Sequence, residues 1–214
     1  MSEQSALHVR LMLVRHGETV DNARGVTQGW SDSELSDRGR TQVQRLADRL
    51  ARIAPTTVYS SSLGRAVATA EAVAGQLDLE VRLLDDLREM NCGRWEGMPF
   101  LEIRDKERET YERWTSDPSF PCPGGESFSD VRARIERALA TVERECGEEN
   151  PRPLVVSHGN AIRIMATLLL DLPLSAARHF MQDNAALNIF ERRKDRYLLR
   201  VWNDATHCNG DMSR

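Results

Sequence analysis

The sequence predicts an α/β fold: a three-layer α/β/α sandwich with a mostly parallel central sheet and a small inserted cap. Two observations predict it. Short apolar runs alternate with segments whose apolar residues recur at helical spacing, and strands alternating with helices build parallel sheets covered on both faces. The 214 residues hold no repeat and no long linker, which suits one domain over 1–214. The cap falls around 92–126, where the strand pattern gives way to a charged stretch and a proline-rich loop.

Residues 8–14 (HVRLMLV) read as a first strand that becomes fully apolar toward its end. Ser36-Asp37-Arg38-Gly39 leads into a helix in which Val43, Leu46, Ala47, Leu50 and Ile53 share a face. Residues 57–60 form a second strand, the Ala-rich stretch 63–76 a helix, and 80–84 a third strand. Residues 98–114 are charged and helical in propensity. They end in SDPSFPCPGGES, which carries three of the eight prolines and reads as an irregular connection. Ser127 or Ser129 caps the next helix, where Val131, Ile135, Leu139 and Val142 align. Residues 154–157 give a fourth strand, and Asn160 or Ala161 starts an apolar helix to about 170. Residues 186–190 and 197–202 bracket ERRKDR as an antiparallel hairpin, and its second strand is a candidate edge for pairing into a homodimer.

Composition narrows the class. Charged residues make up 29% and hydrophobic ones 40%, an ordinary globular balance. A net charge of -4 argues against a general binder of nucleic acid or membrane surfaces. Lys106 and Lys194 are the only lysines, so anion contacts would be mostly planar guanidinium forks. The four cysteines are widely spaced with no CxxC pair, and there is no apolar run long enough for a membrane helix. Both point to a reduced cytoplasmic protein with no metal site and no cofactor.

The polar signals fall in one kind of place. Arg15-His16-Gly17 follows the first strand, Arg65 follows the serines that end the second, Arg88-Glu89 follows the third, and Ser157-His158-Gly159 follows the fourth. In open parallel sheets ligands bind beyond the carboxyl ends of the strands. Two histidines and two arginines converging there would make a phosphate pocket, because arginine forks match phosphoryl oxygens and offset their charge. A neutral imidazole could attack phosphorus. Nearby arginines would disfavour protonation of His16, and its other ring nitrogen would need a hydrogen-bond acceptor. Gly17 would permit a tight turn, Asn22 would donate to a phosphoryl oxygen, and Glu89 would protonate the leaving alcohol and then activate water. Each residue also has a structural reading: ion pairing for Arg15 and Arg88-Glu89, a satisfied histidine at 16 or 158, a turn at Asn22. His8 and His179 read as structural.

The ordered set RHGET with Asn22, LSDRG at 35–39, SSLGRAVATAE at 61–71, LREMNCGRWEG at 87–97, PGGES at 123–127 and VVSHGNAIR at 155–163 resembles the histidine phosphatase superfamily, also called the phosphoglycerate mutase-like family. The resemblance implies an α/β/α sandwich and a metal-independent phosphomonoesterase acting on a small phosphorylated metabolite. It implies His16 as the phosphorylated nucleophile, Arg15, Arg65 and His158 as holders of the phosphoryl group with Asn22 assisting, and Glu89 as acid/base. Gln28, Gly29, Arg88 and Asn160 are further expected substrate contacts. His207 lies in NDATH, similar to an ending found in many members, and reads as support for the sheet edge. The family's mutases carry Tyr-Gly-x-Leu-x-Gly-x-x-Lys and paired arginines after the acid/base Glu. Here MNCGRWEGMPFLE has neither that tyrosine nor that lysine, and Arg104, Arg108 and Arg113 are not adjacent. Hydrolysis is therefore favoured over mutase chemistry. A non-catalytic phosphate-binding descendant would have lost a pocket residue, and none is lost. Arg24, Trp30, Arg88, Arg94 and the 98–122 segment are candidates for the leaving-group side, favouring a second negative group on the substrate.

Overall fold

The computed structural model describes residues 9–147 and 150–208; His8 lies outside them. Six strands form one sheet: β1 (Arg10–Arg15), β2 (Thr57–Ser60), β3 (Val81–Leu83), β4 (Pro153–Ser157), β5 (Leu187–Arg193) and β6 (Arg196–Asp204), in spatial order β3-β2-β4-β1-β5-β6. The first four positions of that order are parallel throughout, while β5 runs antiparallel to β1 and β6 antiparallel to β5.

Alternation along β1 separates two cores. Met12 and Val14 pack with Leu46, Leu50, Ala70 and Val73 from α2 (Asp37–Ile53) and α3 (Gly64–Leu77). Leu11 and Leu13 point the other way, toward Val131, Ile135, Ile162 and Met165 of α6 (Phe128–Glu145) and α7 (Gly159–Leu169). Period-two alternation in a strand and an amphipathic stripe on each helix thus produce the two helical layers. All five residues of β4 are buried, as expected of a central parallel strand covered on both faces.

Three local features differ from the sequence expectation. A short helix, α1 (Val20–Arg24), follows β1; Thr19 caps it, and Asn22 returns the bond in a capping box. The 98–114 stretch is two helices, α4 (Phe100–Lys106) and α5 (Arg108–Ser116), which meet at Glu107. The run DKERET at 105–110 offers no apolar side chain to continue one buried face. The β5–β6 hairpin is longer than expected. Its turn is Lys194-Asp195, and Arg192 and Arg193 pair with Tyr197 and Arg196 inside the ladder. Charged residues persist there because much of β6 is open to water. Ser127 rather than Ser129 caps α6, in a capping box with Asp130.

Candidate active site

The parallel register Arg15↔Ser157 brings the ends of β1 and β4 together, and Ser60↔Val156 puts the end of β2 alongside. RHG and SHG therefore leave adjacent strands at the same edge. The His16 and His158 rings lie 5.1 Å apart between centroids. Arg65 enters from the first turn of α3. Eight of the ten residues assigned from sequence line one cavity of about 320 Å³: Arg15, His16, Asn22, Gln28, Gly29, Arg65, Glu89 and Asn160.

His16 Nδ1 lies 2.8 Å from the Gly17 carbonyl oxygen. A carbonyl only accepts, so Nδ1 carries the hydrogen and Nε2 keeps the lone pair. Burial holds the His16 pKa well below its ordinary 6.5, with Arg65 and then Arg15 adding to the effect against the opposing Gly17 bond. The need for glycine at 17 is close approach rather than turn freedom. A Cβ there would stand 2.6 Å from a Val43 methyl and 2.9 Å from the Gly39 carbonyl oxygen, and one on Gly39 would stand 1.9 Å from the Glu18 oxygen. The two glycines let α2 press directly on the chain as it leaves β1.

Arg15 donates to the Gln182 carbonyl at 2.6 Å. Arg65 donates to the Gly29 and Ser31 carbonyls at 2.7 and 2.8 Å and pairs with Asp32 at 3.2 Å. The Nε–H of each arginine is buried without an acceptor, an arrangement that an anion in the cavity would satisfy. Burial brings Arg15 down to about 10, so it stays cationic at neutral pH. Asn22 Oδ1 accepts from Thr19 N at 3.2 Å and from Asn184 Nδ2 at 3.0 Å, which leaves its Nδ2 as the donor. Gln28 is tied through Nε2 to Thr19 Oγ1 at 2.8 Å.

His158 is fully buried beside the His16 ring and is not among the residues lining the cavity. Its Nε2 and Ser61 Oγ are 2.8 Å apart, and its Nδ1 is buried without a partner. Burial first, and then Arg65, lower its pKa well below 6.5. Arg88 is not brought to the cavity. Successive residues of extended backbone point oppositely, so with Glu89 facing in, Arg88 turns to Ser62 Oγ at 2.8 Å, Asp85 at 2.8 Å and the Trp30 ring at 5.3 Å. Arg24 and Arg94 are exposed and do not line this cavity.

Glu89 is held at both oxygens, by Met90 N at 2.8 Å and by Asn160 N, in the first turn of α7, at 3.1 Å. Its carbonyl accepts from Trp30 Nε1 at 2.7 Å and Arg134 Nη2 at 2.9 Å. The same Arg134 donates to the Asp86 and Arg88 carbonyls at 3.0 and 2.6 Å and makes a fork with Glu126 at 2.9 and 3.0 Å. Glu126 also accepts from Asn91 N at 2.7 Å. One ion pair therefore frames the loop that presents Glu89. Sequence reading did not assign Arg134, although its place beside Val131 and Ile135 on the buried side of α6 was a signal. It also did not assign Arg163, one helical turn beyond Asn160 on α7.

His207 Nε2 lies 3.0 Å from the Ala185 carbonyl, away from the cavity. Among the described residues no three His, Cys, Asp or Glu are grouped to hold a metal ion, and no helix is long and apolar enough to cross a membrane.

Known proteins share this arrangement of sequence and shape. The family model for the histidine phosphatase superfamily (branch 1) matches residues 11–205. Phosphoserine phosphatase 1 of Hydrogenobacter thermophilus is 35% identical over 93% of this chain and 94% of its own length. A protein of Erwinia tasmaniensis named as a probable phosphoglycerate mutase is 33% identical over 96% and 94%. A mycobacterial glucosyl-3-phosphoglycerate phosphatase, solved as a complex with VO3, superposes with a TM-score of 0.85 at 32% identity, covering 91% of this chain and 98% of that one.

Proposed function

The chain belongs to the histidine phosphatase superfamily and is a phosphatase; from that premise we propose that it hydrolyses a small phosphomonoester through a phosphohistidine on His16, without a metal ion. The observation that carries the reading is the fixed Nδ1–Gly17 bond, which leaves Nε2 as the nucleophile in a cavity shared with Arg15, Arg65 and Glu89.

Nε2 attacks phosphorus as the ester P–O bond breaks, and Glu89 gives its proton to the departing alkoxide. The unpartnered Nε–H groups of Arg15 and Arg65 take phosphoryl oxygens and stabilise the charge that spreads over them, with Asn22 Nδ2 as a neutral donor. Water then attacks the phosphohistidine, Glu89 takes its proton, the N–P bond breaks, and inorganic phosphate leaves. The 92–126 segment acts as a cap, since Cys92 and Phe100 close one side of the cavity.

The arginines of that segment support hydrolysis over return of the phosphoryl group to substrate. Arg104 pairs with Asp105, Arg108 pairs with Glu112, and Arg113 lies over Phe120, all on the exterior. The relative named as a mutase favours the second reading, and one experiment separates the two. Phosphate release from phosphomonoesters is measured with a chelator present, in parallel with isomerisation of 3-phosphoglycerate. Release without isomerisation is expected. Isomerisation faster than release would make the protein a mutase, and absence of both would remove the catalytic reading.

A further inference from the structure

Beside the phosphate cavity lies a second one of about 460 Å³, and the two share Thr27, Cys92, Phe100 and Asn160 on their walls. Five of the chain's twelve aromatic residues (four Trp, three Tyr, five Phe) line it: Trp95, Phe100, Tyr111, Trp114 and Phe128. Their rings form a connected wall, with Trp95–Trp114, Phe100–Tyr111 and Trp114–Phe128 centroids 5.6, 5.7 and 5.8 Å apart. A space of this size is far larger than the packing defects of a protein interior and has the size and lining of a ligand site.

Two cations line this cavity. Arg178 is stacked on Trp114 and Phe128, 4.5 and 4.3 Å from their ring centroids, and donates to the Trp114 carbonyl. Arg163, one helical turn after Asn160 on α7, also lines the cavity, and its Nε–H is buried without an acceptor. Among the described residues neither arginine is hydrogen-bonded to a carboxylate, and Glu89 and Asp183 act on the Arg163 charge only from a distance. The indole N–H groups of Trp95 and Trp114 also lack acceptors. Buried donors of this kind are costly when left unpaired, and a cation on an aromatic wall favours an anionic partner.

We infer that the second cavity is a leaving-group site for phosphomonoesters of apolar, ring-bearing alcohols that carry a carboxylate, with the ring against Trp95, Phe100 and Tyr111 and the carboxylate on Arg163. For its route to product the inference rests on the phosphatase reading above. It moves the recognition of a second negative group from the exposed arginines of the mouth to Arg163, which lines the interior.

The test uses ethyl phosphate, benzyl phosphate and 4-carboxybenzyl phosphate, three esters of alcohols with broadly similar leaving ability. In the wild-type protein kcat/KM should rise on the order of 50-fold from ethyl to benzyl as the ring leaves water, and about tenfold again for the carboxylate. Arg163→Gln should erase the carboxylate gain and keep the ring gain. Thr115→Trp, which fills the cavity from α5, should bring the benzyl-to-ethyl ratio close to one. The phosphate-free alcohol 4-(hydroxymethyl)benzoate should quench tryptophan fluorescence, and do so more weakly in Arg163→Gln. Equal kcat/KM for the three esters within about twofold, with no quenching, would overturn the site while leaving hydrolysis intact. Quenching without phosphate release from any ester would keep the site and remove the hydrolytic reading.

Discussion

Replacing Arg134 with methionine tests whether one buried guanidinium frames the loop that carries Glu89. The side chain donates to three backbone carbonyls, those of Asp86, Arg88 and Glu89, and forks onto Glu126. Its side chain is 8% exposed and that of Glu126 19%, so water can replace little of what is lost. Removing one member of a buried ion pair costs ~3–5 kcal/mol, because the other charge stays behind unpaired. Methionine fills most of the volume, so the packing loss is small. The expected loss is therefore about 4 kcal/mol, a large part of the ~5–15 kcal/mol by which domains are stable. Urea unfolding of the wild type, Arg134→Met, Glu126→Gln and the double variant measures it, with a coupling energy of ~1–3 kcal/mol expected between the two positions. Arg134→Lys keeps the charge without the fork and should fall between. A loss below about 1 kcal/mol in Arg134→Met, or full additivity with Glu126→Gln, would refute the frame.

Three further predictions concern the titrating groups. Burial and the neighbouring arginines hold His16 and His158 below pH 6.5. The unfolded chain takes up those protons near pH 6.5 while the folded one stays neutral. Stability from this source is complete above that pH and falls as pH drops below it, so the urea midpoint should decline between pH 7.5 and 5, less steeply in His16→Asn. For the same reason the acid limb of kcat/KM due to His16 should lie below pH 6.5, and a limb above it would contradict the neutral nucleophile. Glu89→Gln should lower kcat/KM, which reports phosphoryl transfer to His16, by ~10²–10⁴ for alkyl phosphates and far less for 4-nitrophenyl phosphate, whose leaving group needs no proton. An equal loss on both would reassign Glu89 from acid to positioning.

How much of this was legible in the sequence depends on how local each feature is. The apolar run ending in Arg15-His16 and its counterpart ending in Ser157-His158 announce two strands by their shortness and by the glycine turns that follow them. The parallel-sheet rule then places both histidines at one edge, and the register Arg15↔Ser157 does so in the structure. Features set by contacts distant in the chain were not legible. The acceptor for Arg15 is the carbonyl of Gln182, 167 residues away in an irregular segment. Asn184 fixes Asn22 across 162 residues. Arg88 and Glu89 are equivalent as sequence and opposite in direction. The aromatic cavity arises only when Trp95, Trp114 and Phe128 meet from three separate elements. Helix α1 was missed because five residues with no buried side chain give no apolar period to read.

The central claim is that His16 Nε2 becomes phosphorylated. Rapid quenching of the enzyme with a ³²P-labelled phosphomonoester should trap a phosphoprotein that is stable in alkali and lost in acid, carried on His16 and absent from His16→Ala. Turnover should vanish with it while the variant remains folded. Undiminished hydrolysis in His16→Ala, or an acid-stable phosphate on another residue, would contradict the account.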